Sequence, residues 1–330
     1  MIIGMGQRAN FVVVDDQGWR LHYSHWAANQ VCQILIAGPA AATRFIEAQR
    51  PCPDRENDWL DDVWAEGGAV VDHTVRRLVF YGDDLMLDIA PKRMFLRLLE
   101  LTWPGWEIRW AYDGIGDLAA AVGVDRSVVR QANEDERRMP QELETGPDWD
   151  THLLTVRDAD GELTVYPLMG DCHTGWQGPA LLERLPEQGL RTLELTEPPQ
   201  SGLHVDVRER TVEAWLGYTS TGLVPELPGL WPGWRVRFCE DRFEEQEARC
   251  GGAVTFPALD LRGALKEVVE SVSRRLGHDP VPDMLDLVRR HAAGQDMELN
   301  PLFTAHRQVD PTPQEWAEVL RSAAELAERL

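Results

Sequence analysis

A Trp-Pro-Gly-Trp tetrad stands twice in this chain, as Trp103, Pro104, Gly105 and Trp106 and again as Trp231, Pro232, Gly233 and Trp234. From each tetrad the sequence aligns without gaps as far as Gly123 and Gly251, with Arg109/Arg237, Asp113/Asp241 and Ala120/Ala248 also identical. Two Trp pairs at one spacing do not recur by chance, so any fold for this chain has to accommodate one unit twice.

Upstream matches keep the same order. Residues 11–23 resemble 154–166, with Asp15/Asp158, Gly18/Gly161 and Tyr23/Tyr166 coinciding around a turn. A β-rich run, a polar turn ending in Gly and a second run predict a hairpin, because Gly supplies the positive φ of the turn. Gly38-Pro39-Ala40 returns as Gly178-Pro179-Ala180, each reading as a helix start with Pro where the amide has no helical partner. A second hairpin is expected over 69–81 and 203–215. A helix from Pro91 to Thr102 carries Phe95, Leu98, Leu99 and Thr102 on one stripe, whereas Pro225 and Pro228 predict its loss in the second copy. The alternation Trp106-Ile108-Trp110 or Trp234-Val236-Phe238 then marks a strand with one aromatic face.

Each copy therefore reads β-β-α-β-β-(α)-β. The expected fold class is α+β, in two tandem diverged copies of a mostly antiparallel sheet with helices on one face, plus a C-terminal helical segment. The expected boundaries are 1–132 for copy one, 133–150 for an acidic linker, 151–259 for copy two and 260–330 for the helical segment. That segment holds helices near 260–276, 283–293 and 312–329, the last with Trp316, Leu320 and Leu326 on one stripe.

With 330 residues and a formal net charge of -22, both halves are acidic, and neither offers the positive field that a phosphate backbone requires. No direct nucleic-acid binding is expected. A basic protein partner is, since an acidic surface steers cations. Of the 33 basic residues only Lys92 and Lys266 are lysines, a bias that GC-rich codons explain without selection for guanidinium chemistry. Five cysteines form no CxxC pair, and no signal-peptide or membrane-spanning window is found, so a cytoplasmic setting is expected.

Several clusters could carry chemistry. His22, Tyr23, His25 and Trp26 gather polar and aromatic groups at a hairpin end and are ligand-binding candidates; strict alternation sends His22 and His25 to opposite faces, and the second copy lacks both. The acidic run 54–64 interleaves Asp58, Asp61 and Asp62 with Trp59 and Trp64, the composition of a surface where a basic protein docks. The tetrads are read as structural junctions: Pro stops a helix, Gly turns the chain and the indoles cap a core, in preference to aromatic platforms for a ligand. Gly114-Ile115-Gly116-Asp117-Leu118-Ala119 superficially fits a dinucleotide turn, but the second copy has Arg242-Phe243-Glu244 there and the following βαβ strand is missing. Asp171-Cys172-His173 sets a thiol beside an imidazole, without the through-space contact that nucleophilic catalysis requires. Asp72-His73 and His204-Val205-Asp206 could orient an imidazole, although Asp72 and Asp206 fit better as hairpin-turn acceptors. No metal site and no cofactor are expected.

Two functional readings follow. The first is a non-catalytic, cytoplasmic protein-interaction module, immunity-like or inhibitory, that restrains a basic partner such as a toxin or nuclease. The second is an enzyme or small-ligand-binding protein whose site lies in a cleft between the copies.

Overall fold

A computed structural model of the chain describes residues 7–131, 143–145, 152–169, 173–292, 302 and 306–330. Most of the linker 133–150, and Asp171 and Cys172, lie outside them.

In chain order, β1 (Ala9–Asp15) and β2 (Gly18–Ser24) form the first hairpin, followed by α1 (Val31–Leu35), α2 (Pro39–Ala48) and β3 (Arg50–Cys52). The second hairpin, β4 (Gly67–Asp72) and β5 (Arg77–Tyr81), leads to α3 (Ile89–Thr102), β6 (Glu107–Trp110) and α4 (Ile115–Ala121). Next come β7 (Glu144–Thr145), β8 (His152–Arg157), β9 (Leu163–Met169), a kinked 3-10 stretch over Thr174–Glu183, and β10 (Leu193–Glu194). Then follow β11 (Ser201–Asp206), β12 (Thr211–Leu216), α5 (Leu223–Leu230), β13 (Arg235–Phe238), α6 (Phe243–Cys250) and β14 (Val254–Thr255). Helices α7 (Leu261–Arg275), α8 (Pro280–Ala292) and α9 (Pro313–Glu328) close the chain. The fold is α+β.

The chain divides into two compact units. The first comprises Met1–Met86, Ala90–Arg130 and Asp260–Leu330, and the second Leu87–Ile89 and Gln131–Leu259. The C-terminal segment 260–330 thus groups with the first unit.

In the first unit the sheet order is β3-β2-β1-β4-β5-β6. β1·β2 and β4·β5 are antiparallel hairpins, while β1·β4 and β5·β6 are parallel. The second unit has the order β13-β12-β11-β8-β9, with β7 beside β9. There β8·β9 and β11·β12 are antiparallel, while β8·β11 and β12·β13 are parallel. The expected mostly antiparallel sheet is corrected to a mixed one. Each hairpin pairs locally as expected, but the first strands of the two hairpins join in parallel, and the strand after the helix returns parallel to its neighbour.

Helices on one face is corrected as well. In the first sheet Phe11, Val13, Ala69, Val71, Leu78 and Phe80 pack with residues of α1, α2, α3, α7 and α9. The alternate positions Val12, Leu21, Tyr23, Val70 and Val79 pack with Ile115, Leu118 and Ala119 of α4 and with Trp59. Both faces are covered, which is why β1 and β4 read as continuous apolar runs.

Two helix expectations change. α5 persists as an eight-residue helix with Pro228 inside it; Pro225 falls in the first turn, where no intrahelical amide bond is forfeited. In α9 the buried stripe is Val319, Ala323 and Leu326, spaced for one helix face, and Leu320 is 44% exposed. A capping box of Thr312 and Glu315 starts α9, and Glu315 also pairs with Arg44 of α2.

The tetrads occupy matching junctions. Trp103 and Trp231 are fully buried, and their indole Nε1 groups donate to Leu35 O at 2.7 Å and to Gly175 O at 2.9 Å. Gly105 and Gly233 have φ of 78° and 79°, and each second Trp amide donates to the first Trp carbonyl at 3.1 Å. Positive φ at these two glycines is what turns the helix end into the next strand. Gly38, with φ of 90°, stands where an added Cβ would lie 2.8 Å from Thr102 O, so the first GPA turn packs directly on the end of α3.

Candidate functional site

The second unit contains a cavity of about 620 Å3 on one face of its sheet. Register builds its floor. Asp206 stands beside Arg157 and opposite Thr211, which neighbours Arg235. Two residues along each strand, Thr155, His204, Glu213 and Arg237 form a second row in the same way. Side chains two apart on a strand share a face, so both rows point to one side. Ala248 and Arg249 at the end of α6 complete the wall. Buried Gln246 anchors α6 to the sheet, its Nε2 donating to Thr155 Oγ1 at 2.9 Å and its Oε1 accepting from Trp215 Nε1 at 2.7 Å.

Electrostatics fix the charge states. Burial works to raise the Glu213 pKa, but hydrogen bonds from Arg249 (3.0 and 2.7 Å) and the Arg237 guanidinium outweigh it, so the carboxylate is held ionised below its usual range. Glu245 pairs with Arg237 at 2.8 Å. Arg157 donates to Gly161 O and Arg249 O and approaches Asp206 at 3.8 Å. His204 contacts Thr155 Oγ1 at 2.9 Å through Nδ1, and burial lowers its pKa to about 4, so it is a neutral imidazole at pH 7. Among the described residues the Arg235 side chain is exposed and has no carboxylate within ion-pair distance.

The same positions in the first sheet differ. Val12, Val70 and Val79 form an apolar row ending at Arg109, and the next row runs Val14, Asp72, Arg77 and Glu107. Glu107 there pairs with both Arg77 and Arg109. Where the first sheet has Glu107, the second has Arg235, which removes the carboxylate and adds a cation.

The residues expected from sequence are placed as follows. His22 is buried on the α2 side of β2, its Nδ1 without a hydrogen-bond partner and its pKa lowered by burial. Tyr23 points to the opposite face, where its hydroxyl meets His25 Nδ1 at 2.8 Å, and the His25 ring stands edge-on to buried Trp26 at 4.7 Å. The chain therefore brings Tyr23, His25 and Trp26 together and leaves His22 apart. In the acidic run, Trp59 is buried against Trp19 and donates to Arg55 O, and the Asp62 side chain is buried within 3.6 Å of Arg130. Asp58 accepts from the Asp54 amide, and Asp61 accepts from the Val63 and Trp64 amides. Val63 and Trp64 are 50% and 47% exposed, and the Arg8 guanidinium lies 4.6 Å from the Trp64 ring centre. Pro104 and Pro232 follow the buried first indoles, while Trp106 and Trp234 are half-buried edge-on partners of Trp103 and Trp231 at 4.9 and 5.3 Å.

The glycine string opens α4, but the space beside Gly116 is filled by Asp113, which pairs with Arg126 and Arg130. Asp72 and Asp206 accept amides of their own hairpin turns, from Thr74 and Glu209. His173 meets another buried histidine, His152, at a ring separation of 4.5 Å. The His152 nitrogens contact Ser201 Oγ at 2.8 Å and Thr174 Oγ1 at 2.6 Å, and His173 Nδ1 accepts from the Gly175 amide. Sequence reading missed His152, Glu213, Arg235 and Arg249. Strand register places Glu213 and Arg235, the end of α6 brings Arg249 to them, and His152 lies apart beside His173; the one available signal was the difference between the aligned segments at Glu107/Arg235. No metal-binding cluster of His, Cys, Asp or Glu is found among the described residues, and no described helix is long and apolar enough to cross a membrane.

Comparison with protein-family models, with curated proteins and with solved structures finds no match to this chain.

Proposed function

We propose that the protein is a non-catalytic interaction module, made of two diverged copies of one α+β domain, that binds a basic protein partner in an immunity-like or inhibitory role. Duplication is supported by the shared strand order and the shared alternation of antiparallel and parallel pairings. It is supported too by the Arg76 and Arg210 carbonyls, which accept the amides of Glu107 and Arg235, the residues that follow the two tetrads. The tetrads belong to this proposal as structural junctions, since buried indoles that hydrogen-bond to the chain's own carbonyls present no ligand platform.

The observation that carries the partner reading is the exposed Trp64 ring with a guanidinium already over it, in a segment whose sequence carries Asp54, Glu56, Asp58, Asp61 and Glu66. An indole face inside an anionic rim is a cation acceptor. Hydrogen bonds from Asn57 and backbone amides lower the Asp54 pKa and keep that rim charged. Trp59 and Asp62 support the loop from below, so the docking surface is narrowed to Val63 and Trp64 with Asp58 and Asp61. Many arginines are paired with the chain's own carboxylates, as in Arg20 with Asp15 and Arg275 with Asp83, which leaves the excess of acid to set the outward field. A reducing, cytoplasmic setting belongs to the same reading, supported by Cys32, Cys52, Cys239 and Cys250 as buried free thiols.

An arginine-rich peptide is the probe. It is expected to bind with an affinity that falls steeply with salt, and to bind Trp64→Ala about tenfold more weakly, the worth of one desolvated cation–π contact. Equal affinity for Trp64→Ala in fluorescence anisotropy, or no binding to the native protein, overturns the proposal.

A further inference from the structure

The geometry points to a second, independent site: the cavity of the second unit is a binding site for a small phosphate ester that carries hydroxyl groups. Three observations carry this. The first is charge. Arg157, Arg235, Arg237 and Arg249 all line the cavity, in a protein whose net charge is -22. Glu213 is already matched by Arg237 and Arg249, and Asp206 accepts the Glu209 amide. Arg235 is left with its cation uncommitted. Guanidinium forks in this setting select oxyanions with several acceptor atoms, phosphate above all.

The second observation is the comparison of the two sheets. The first fills the equivalent inner row with Val12, Val70 and Val79 and closes its outer row with Glu107 on Arg77 and Arg109. The second sheet places Thr155, His204 and Glu213 in the inner row instead, at the cost of burying polar groups that then need partners. The scaffold folds with an apolar row here, so the polar row is not a requirement of the architecture. Such local departures from what the fold alone asks for mark functional positions.

The third observation concerns size and chemistry. About 620 Å3 is the volume of a small-molecule site and much more than inorganic phosphate fills. Asp206, Glu209 and Thr211 line the remainder and accept hydrogen bonds from hydroxyl groups. The single apolar side chain among the lining residues is Ala248, no Phe, Tyr or Trp lines the cavity, and the one aromatic ring, the His204 imidazole, is buried and held by Thr155, which favours a sugar or polyol phosphate over a nucleotide.

Isothermal titration calorimetry with inorganic phosphate, glucose 6-phosphate, glucose and AMP tests the site. Glucose 6-phosphate is expected to bind more tightly than inorganic phosphate, and glucose not at all. Arg235→Gln is expected to lose about tenfold in affinity for both phosphates while melting as the native protein does, because the Arg235 side chain makes no ion pair to lose. No heat with either phosphate overturns the site, as does unchanged affinity in Arg235→Gln. AMP binding as tightly as glucose 6-phosphate overturns the ligand class. Because these residues lie apart from the Trp64 loop in sequence and unit, failure here leaves the peptide-binding test untouched.

Discussion

At the scale of single residues, the buried indoles make the sharpest claim. Replacing Trp103 or Trp231 by Phe removes the indole donor to the Leu35 or Gly175 carbonyl, at a cost of about 0.5–1.5 kcal/mol, and replacing either by Ala costs about 3–5 kcal/mol. Urea unfolding monitored by circular dichroism measures both, and a Phe variant as stable as the native protein would show that the hydrogen bond contributes nothing. Histidines give a second residue-scale prediction. Burial depresses His173 and His204 to about 4 and His152 well below its usual value, against about 6.5 in an unfolded chain. Between those limits the unfolded state binds more protons, so stability is fully present above pH 6.5 and is lost as pH falls toward 4. From pH 7 to 5 His173 and His204 each withdraw on the order of 2 kcal/mol, and equal urea midpoints at the two pH values would count against neutral buried imidazoles. The tetrads were legible from sequence because Trp is rare and its spacing repeats. His152 was not, since its partners Ser201 and Thr174 come from elsewhere in the chain and leave no local pattern.

At the scale of elements, hairpins and helices followed local rules, and the departures arose where distant segments meet. Val12-Val13-Val14 and Ala69-Val70-Val71 have no alternation of polar with apolar residues, a sign of burial on two faces; reading them as a one-sided sheet overlooked it. Parallel pairing of β1 with β4 has no turn to announce it. Helix α9 shows a finer limit, because Trp316, Leu320 and Leu326 looked like a stripe while Val319, Ala323 and Leu326 are the residues buried in the first unit's core. Val319→Asp is expected to destabilise by about 3 kcal/mol or more through an unpaired buried charge, and Leu320→Asp by less than about 0.5 kcal/mol. Guanidinium unfolding of the two variants distinguishes the stripes; similar midpoints would mean that the helix is rotated from the position described.

At the scale of the whole molecule, acidity and repetition were visible in the composition and the tetrads, whereas the cavity was not. Its floor comes from four strands scattered over residues 155–237, and only their register makes Arg157, His204, Glu213 and Arg235 neighbours. The aligned segments did hold the clue, in the difference between Glu107 and Arg235, but a single charge reversal acquires meaning only when the row it belongs to is known. The first unit also recruits Asp260–Leu330 from beyond the second unit. For a chain emerging from the ribosome this inverts the usual order of completion. The first unit's strands must wait, with one apolar face covered only in part by α1, α2 and α3, until Val268, Val272, Val319 and Leu326 have been synthesised, while the later unit already has all of its residues. A chain interrupted before residue 260 therefore leaves its earlier unit unfinished and its later unit complete.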